Sequence, residues 1–139
     1  MQSIQAVHQV IRNRLTQSAN LTAMVASNCI RVSLQTEPTT YPAIRVRITG
    51  VKGANLSQFL SGNIYFGIYT NNQSAPSGHL ASIYNIVKGL IDEQQSTLHT
   101  SCLAIGRISE QFCEYPVYQE ETGFYYLTAR YGYTAQHLK

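Results

Sequence analysis

Three stretches of the chain share a two-residue alternation. They are Ala43 to Thr49 (AIRVRIT), Asn63 to Tyr69 (NIYFGIY) and Phe124 to Tyr133 (FYYLTARYGY). Successive side chains of an extended strand point to opposite faces, so a period of two predicts strands with one aliphatic face and one Tyr/Arg face. Such a sheet must cover its aliphatic side, and the periodicity elsewhere supplies the cover. Ile4, Val7, Ile11 and Leu15 follow helical spacing, and so do Leu80, Ile83, Val87, Leu90 and Ile91, widened by Tyr84 and Ile86.

Between these elements the chain reads as follows. Asn20 is placed to cap a short turn over Leu21–Ala26, which leads to a strand around Cys29–Leu34. A loop with two prolines, Thr36 to Pro42, precedes the second strand. Gly50 to Gly62 reads as a long loop carrying Leu56, Phe59 and Leu60 among polar residues. Asn71 to Gly78 is a polar turn into the central helix, whose Gly89 costs roughly 1 kcal/mol against Ala and suits a close helix–sheet contact. A strand from about Cys102 to Tyr115, a turn at Glu120–Gly123 and the closing strand follow, with a frayed tail at about 134–139. The order is α-β-β-β-α-β-β. It predicts one α+β domain over residues 1–139, a mostly antiparallel sheet of about five strands covered on one face by an N-terminal and a central helix. A chain of 139 residues is long enough to bury such a core.

Composition narrows the function. Charged residues make up 12% of the chain, about half the usual share, and a net charge of +3 is small. Its distribution is uneven. Arg12, Arg14, Arg31, Arg45, Arg47 and Lys52 face only Glu37 in the first sixty residues, while Glu110, Glu114, Glu120 and Glu121 crowd one later stretch. A basic front and an acidic hairpin suit head-to-tail pairing with another copy. Cys29, Cys102 and Cys113 form no C-x-x-C, and two lie in apolar strand contexts, so no disulfide framework is expected. The amphipathic amino terminus reads as no signal peptide, and no apolar run approaches a membrane span, which points to a cytoplasmic product.

Catalytic patterns find no foothold. His8, His79, His99 and His137 show no metal-ligand spacing, no G-x-S-x-G or phosphate-cradling glycine pattern occurs, and the neighbours Glu120 and Glu121 point apart in a solvated turn. The expectation is no enzyme, no cofactor and no metal. The Tyr/Arg face carries more. Tyr65, Tyr69, Tyr126 and Arg130, with Arg45 and Arg47, can stack bases and meet phosphates. The basic-Gly-aromatic-Gly core of the common RNA-binding sheet is missing, and Tyr and Arg are also the residues enriched at protein interfaces, which favours protein contact.

Particular residues then bring a family into view. A helix with Ile11, Arg14 and Leu15 is followed by Asn20-Leu21-Thr22-Ala23-Met24-Val25, a first strand, and Tyr41-Pro42-Ala43-Ile44 opening the second. The Leu80–Ile91 helix and a closing hairpin whose last strand begins at Gly123-Phe124 complete the series. Over residues 4 to 133 this resembles the tail-completion, or tail-terminator, proteins of tailed bacteriophages. The resemblance implies an α+β subunit of a ring, commonly of six copies, that caps the head-proximal end of the tail tube and joins it to the neck. Localisation would be the virion, after synthesis in the host bacterial cytoplasm. Partners would be further copies, the tube protein and a neck protein, with genomic DNA as passing cargo. Alternatives are another head–tail connector (head-completion or neck) protein and a monomeric RNA-binding domain. Subunit and tail contacts are expected at Leu56, Phe59, Leu60, Arg45, Arg47, Glu114, Glu120 and Glu121.

Overall fold

A computed structural model describes residues 3–32, 40–52, 59–100, 103–114, 117–119 and 123–138. The elements run α1 (Ser3–Thr16), α2 (Ala19–Thr22), a 3-10 turn (Ser27–Cys29), β1 (Ile30–Val32), β2 (Ala43–Ile48), β3 (Val51–Lys52), β4 (Phe59–Thr70), α3 (Pro76–Ile91), β5 (Leu103–Cys113), β6 (Val117–Gln119) and β7 (Phe124–His137). The α+β class and the α-β-β-β-α-β-β order of the main elements match the sequence reading.

The strands form one sheet in the order β1-β2-β4-β7-β5. β1 runs parallel to β2, and the other pairs are antiparallel. The two short strands add no lanes. β7 fills one edge of β4 from Phe59 to Thr70, so β2 and β3 share the other edge. By the same reasoning β5 and β6 share the free edge of β7. The sheet is therefore five lanes wide.

One face carries Ile44, Val46, Ile48, Ile64, Phe66 and Ile68, all buried. Val7, Ile11 and Leu15 of α1 and Leu80, Ile83, Val87 and Ile91 of α3 complete the same cluster. Each such side chain contributes roughly 1.5–3 kcal/mol by leaving water. Helix starts are fixed locally. Asn72 Oδ1 accepts hydrogen bonds from Ser74 N–H at 3.0 Å and Ala75 N–H at 3.1 Å, and Pro76 occupies the first turn of α3. For α2 the cap is Ser18, whose hydroxyl accepts from Leu21 N–H at 3.2 Å, and not Asn20. Asn20 instead lies inside the helix, because the turn begins two residues earlier than its apolar pattern suggests.

Several expectations change. Leu60 is 5% exposed and joins the core, since β4 begins at Phe59 and Leu60 pairs with Ala135. The Gly50–Gly62 stretch is thus partly a hairpin, with Val51 opposite Ser61 and Lys52 opposite Leu60. The tail is not frayed from Thr134 onward, because β7 pairs with β5 as far as His137. Tyr131 and Tyr133 face the core rather than the Tyr/Arg side. Cys29 is half-buried and Cys113 exposed, both as free thiols, whereas Cys102 lies outside the described residues.

Gly89 departs from its expected role as well. It is exposed on α3, and a methyl group there would meet nothing within 4 Å. No close contact offsets its conformational cost, so Gly89→Ala is expected to stabilise the fold by roughly 1 kcal/mol. The melting temperature measured by circular dichroism should rise by about 3 °C, and an unchanged or lower value would contradict this.

Candidate functional site

Register places the Tyr/Arg residues in rows across the face opposite the helices. Ala43 of β2 lies opposite Tyr69, which lies opposite Tyr126, and the next row is Arg45, Gly67 and Thr128. A third row runs Arg47, Tyr65, Arg130 and, on β5, Phe112. The expected outer-face residues Tyr65, Tyr69, Tyr126 and Arg130 therefore do come together, with Arg45 and Arg47 beside them.

The third row alternates cations and rings. The Arg47 guanidinium carbon lies 4.3 Å from the Tyr65 ring centroid, and that of Arg130 lies 4.6 Å from the Phe112 ring. Contacts of this kind are worth about 0.5–1 kcal/mol at exposed sites. They also restrain where each guanidinium group lies on the face. Arg130 Nε is buried without a hydrogen-bond partner, so the Phe112 ring is the contact that fixes this side chain.

Gly67 gives the face its relief. The Tyr69 ring folds over it, so that a Cβ at Gly67 would lie 3.0 Å from ring atoms. Beside it is a hollow of about 310 Å³ walled by Arg45, Arg47, Tyr65, Tyr69 and Thr128. Tyr69 is itself braced. Its centroid is 5.3 Å from that of Phe124 and 5.9 Å from that of Tyr126, and Tyr41 lies 5.3 Å from Phe124. Phe124 is fully buried under this aromatic group on the side away from the helices.

Phe112, Phe124, Tyr41 and Thr128 were not placed on the outer face by sequence reasoning. For Phe112 the obstacle is a bulge. Counting by twos from Ile108 and Glu110 puts Phe112 on the core face, but a register shift between Glu110 and Phe112 turns it outward onto Arg130.

The expected interface residues separate. Phe59 is 39% exposed at the first position of β4, and Arg47 and Glu114 are exposed. The Glu114 amide donates to the Thr128 carbonyl at 2.8 Å, which sets Glu114 at the margin of the outer face. Leu56, Glu120 and Glu121 lie outside the described residues. Tyr118, 45% exposed on β6, packs at a tilt against Tyr125 with centroids 4.7 Å apart. Phe59 and Tyr118 mark opposite ends of the sheet: Phe59 pairs with Gln136 and Tyr118 with Tyr125.

Glu110 does not join the acidic exterior. The Tyr84 hydroxyl donates to its carboxylate, Lys88 Nζ lies 3.5 Å away, and the Tyr84 and Tyr131 hydroxyls are 2.8 Å apart. Burial, then the bonds to Glu110 and Tyr131, holds the Tyr84 phenol well above its usual range, and burial does the same for Tyr131. Tyr133, whose hydroxyl donates to the Thr49 carbonyl at 2.9 Å, is pushed up to about 12 by burial. These phenols are neutral hydrogen-bonding elements of the core at ordinary pH.

Among the described residues no group of His, Cys, Asp and Glu is close enough to hold a metal ion, and no helix is long and apolar enough to cross a membrane. A second hollow, of about 440 Å³, lies between the end of α1 and residues 97–100, where Arg14 donates to the Thr97 hydroxyl at 2.8 Å.

Neither a protein-family model nor a curated protein sequence matches the chain. Among solved structures, a chain from the virion of a native gene transfer agent particle superposes with a TM-score of 0.75. That match covers 98% of this chain and 99% of the other at 9% sequence identity. At such identity the two chains share a fold, over nearly the whole of each.

Proposed function

We propose that this protein is a non-enzymatic structural subunit of a virion. It forms a ring of identical copies, six by the tail-terminator resemblance, at the head–tail junction. The ring ends the tail tube and joins it to the neck. The observation that carries this reading is the full-length fold shared with a chain of a gene transfer agent virion. The tail-terminator resemblance of residues 4 to 133 supports the same setting.

The surfaces fit a head-to-tail ring. Closing such a ring requires one patch to meet a different patch. Phe59 and Tyr118 supply exposed aromatic anchors at opposite ends of the sheet, and aromatic side chains are favoured interface residues. The basic front, with Arg12 and Arg31 exposed, can meet the acidic hairpin that contains Glu114, Glu120 and Glu121. Tube growth would halt because the far side of the ring offers no surface for another tube subunit. Partners on this reading are the tube protein and a neck protein, with DNA passing through the lumen. The test is the oligomeric state of the purified chain, alone and with tube subunits. A ring supports the reading, and a strict monomer in both samples opposes it.

A further inference from the structure

We infer that the outer sheet face binds a nucleic-acid strand, with phosphates on the arginine rows and a base in the hollow beside Gly67. This goes beyond the ring reading, in which DNA only passes, and stands on the geometry of this one face.

The arginines are presented for the purpose. Arg45 and Arg47 project from the same face of β2, spaced by about 6.6 Å as every second residue of a strand is. Arg130 stands two lanes away, roughly 9.6 Å across the sheet. Three guanidinium groups spread over such distances match a chain of regularly placed negative charges better than they match one carboxylate. The guanidinium carbons of Arg47 and Arg130 already lie over the rings of Tyr65 and Phe112. For the exposed Arg47 this leaves N–H donors available for an oxyanion, and the ring contact pre-orders both side chains.

The hollow suits a flat ring. Its floor is the backbone at Gly67, its walls include Tyr65, Tyr69 and Thr128, and among the described residues no carboxylate lines it. A base can stack on a tyrosine ring or on a guanidinium plane, whatever its sequence. An acidic peptide would satisfy the arginines but leave the half-exposed rings of Tyr65 and Tyr69 uncovered. Glu114, whose amide bonds the Thr128 carbonyl, puts an acidic residue at the β5 edge of the basic rows, so β2, β4 and β7 are the lanes that favour a phosphate chain. Arg12, exposed on α1, belongs to the helical side and serves as a control.

The experiment is fluorescence anisotropy of a labelled 30-nucleotide single-stranded DNA with the full chain at several salt concentrations. Light scattering is run on the same samples. Expected is a dissociation constant of roughly 1–100 µM at low salt, weakening as salt rises. The double variant Arg45→Ala/Arg47→Ala should bind at least about tenfold more weakly, with the salt slope reduced by about 1.4. Tyr65→Leu should lose about fivefold or more, while Arg12→Ala stays within about twofold of wild type. Arg47→Ala alone, at an exposed position, provides the check if the double variant melts early. Absence of wild-type binding would overturn the proposal, and so would arginine variants that bind like wild type. A polyglutamate peptide that binds this face when DNA does not would assign it to an acidic protein instead. A monomer that binds DNA would sink the ring reading alone, and a ring that does not bind would sink this inference alone.

Discussion

Gly62→Ala should cost the fold about 3 kcal/mol or more and lower the melting temperature by about 10 °C. The reason lies at the step between β2 and β3. A methyl group on Gly62 would sit 2.0 Å from the Thr49 carbonyl oxygen, 2.7 Å from its carbon and 2.8 Å from the Gly50 Cα. All three are backbone atoms, so no side-chain rotation relieves the clash. Thr49 cannot easily withdraw either. Its amide donates to the Asn63 carbonyl at 2.9 Å, its hydroxyl accepts from the Asn63 amide at 3.2 Å, and its carbonyl accepts from Tyr133 at 2.9 Å. Gly89→Ala is the matched control of opposite sign, on an open helix surface. A Gly62→Ala protein that melts within about 2 °C of wild type would show that this close approach is not built as described.

Two adjacent residues should respond oppositely to the same change. Leu60→Asp puts an unpaired carboxylate among Tyr133, Ala135 and the rest of the core, where Leu60 is 5% exposed. Losing a buried leucine costs about 2–5 kcal/mol, and the stranded charge adds several more. That total approaches the whole stability of a domain this size, so the variant should be unfolded or insoluble. Phe59→Asp removes a ring that is 39% exposed at the end of β4. It should shift the melting temperature by less than about 4 °C yet abolish ring formation in native mass spectrometry. If Phe59→Asp unfolds the chain, Phe59 belongs to the core and the assembly surface lies elsewhere.

Much of the sheet was legible because Ile44, Val46, Ile48, Ile64, Phe66 and Ile68 alternate cleanly with polar residues. A one-residue slip would have exposed every one of them, so the pattern specifies both face and register. The closing strand was harder to read. Tyrosine occurs on both of its sides, and hydropathy does not distinguish an outward tyrosine from one whose hydroxyl finds a buried partner. Tyr131 has Tyr84, and Tyr133 has the Thr49 carbonyl. On β5 the irregularities at Gly106 and Gln111 shift the alternation twice, which hid the pairing of Phe112 with Arg130. Leu60 was obscured by its Gly, Ser and Asn neighbours, which suggest a loop although the residue is the second of a twelve-residue strand.

The outer-face site was visible as residue types before it was visible as geometry. Arg45, Arg47, Tyr65, Tyr69, Tyr126 and Arg130 could each be assigned to one side of its strand. Their arrangement into cation–ring rows depends on how three separate strand pairings align. The hollow depends on the missing side chain at Gly67 and on Tyr69 being braced by Phe124, a contact between residues 55 positions apart. Long-range packing of this kind leaves no local signature.

Native mass spectrometry of the purified full chain, at increasing protein concentration and with tube subunits added, asks most directly whether this is a ring-forming virion subunit. The expected spectrum contains one closed species of identical copies, six in number, which Phe59→Asp abolishes. A spectrum of monomer alone at every concentration, unchanged by the tube protein, would contradict the ring.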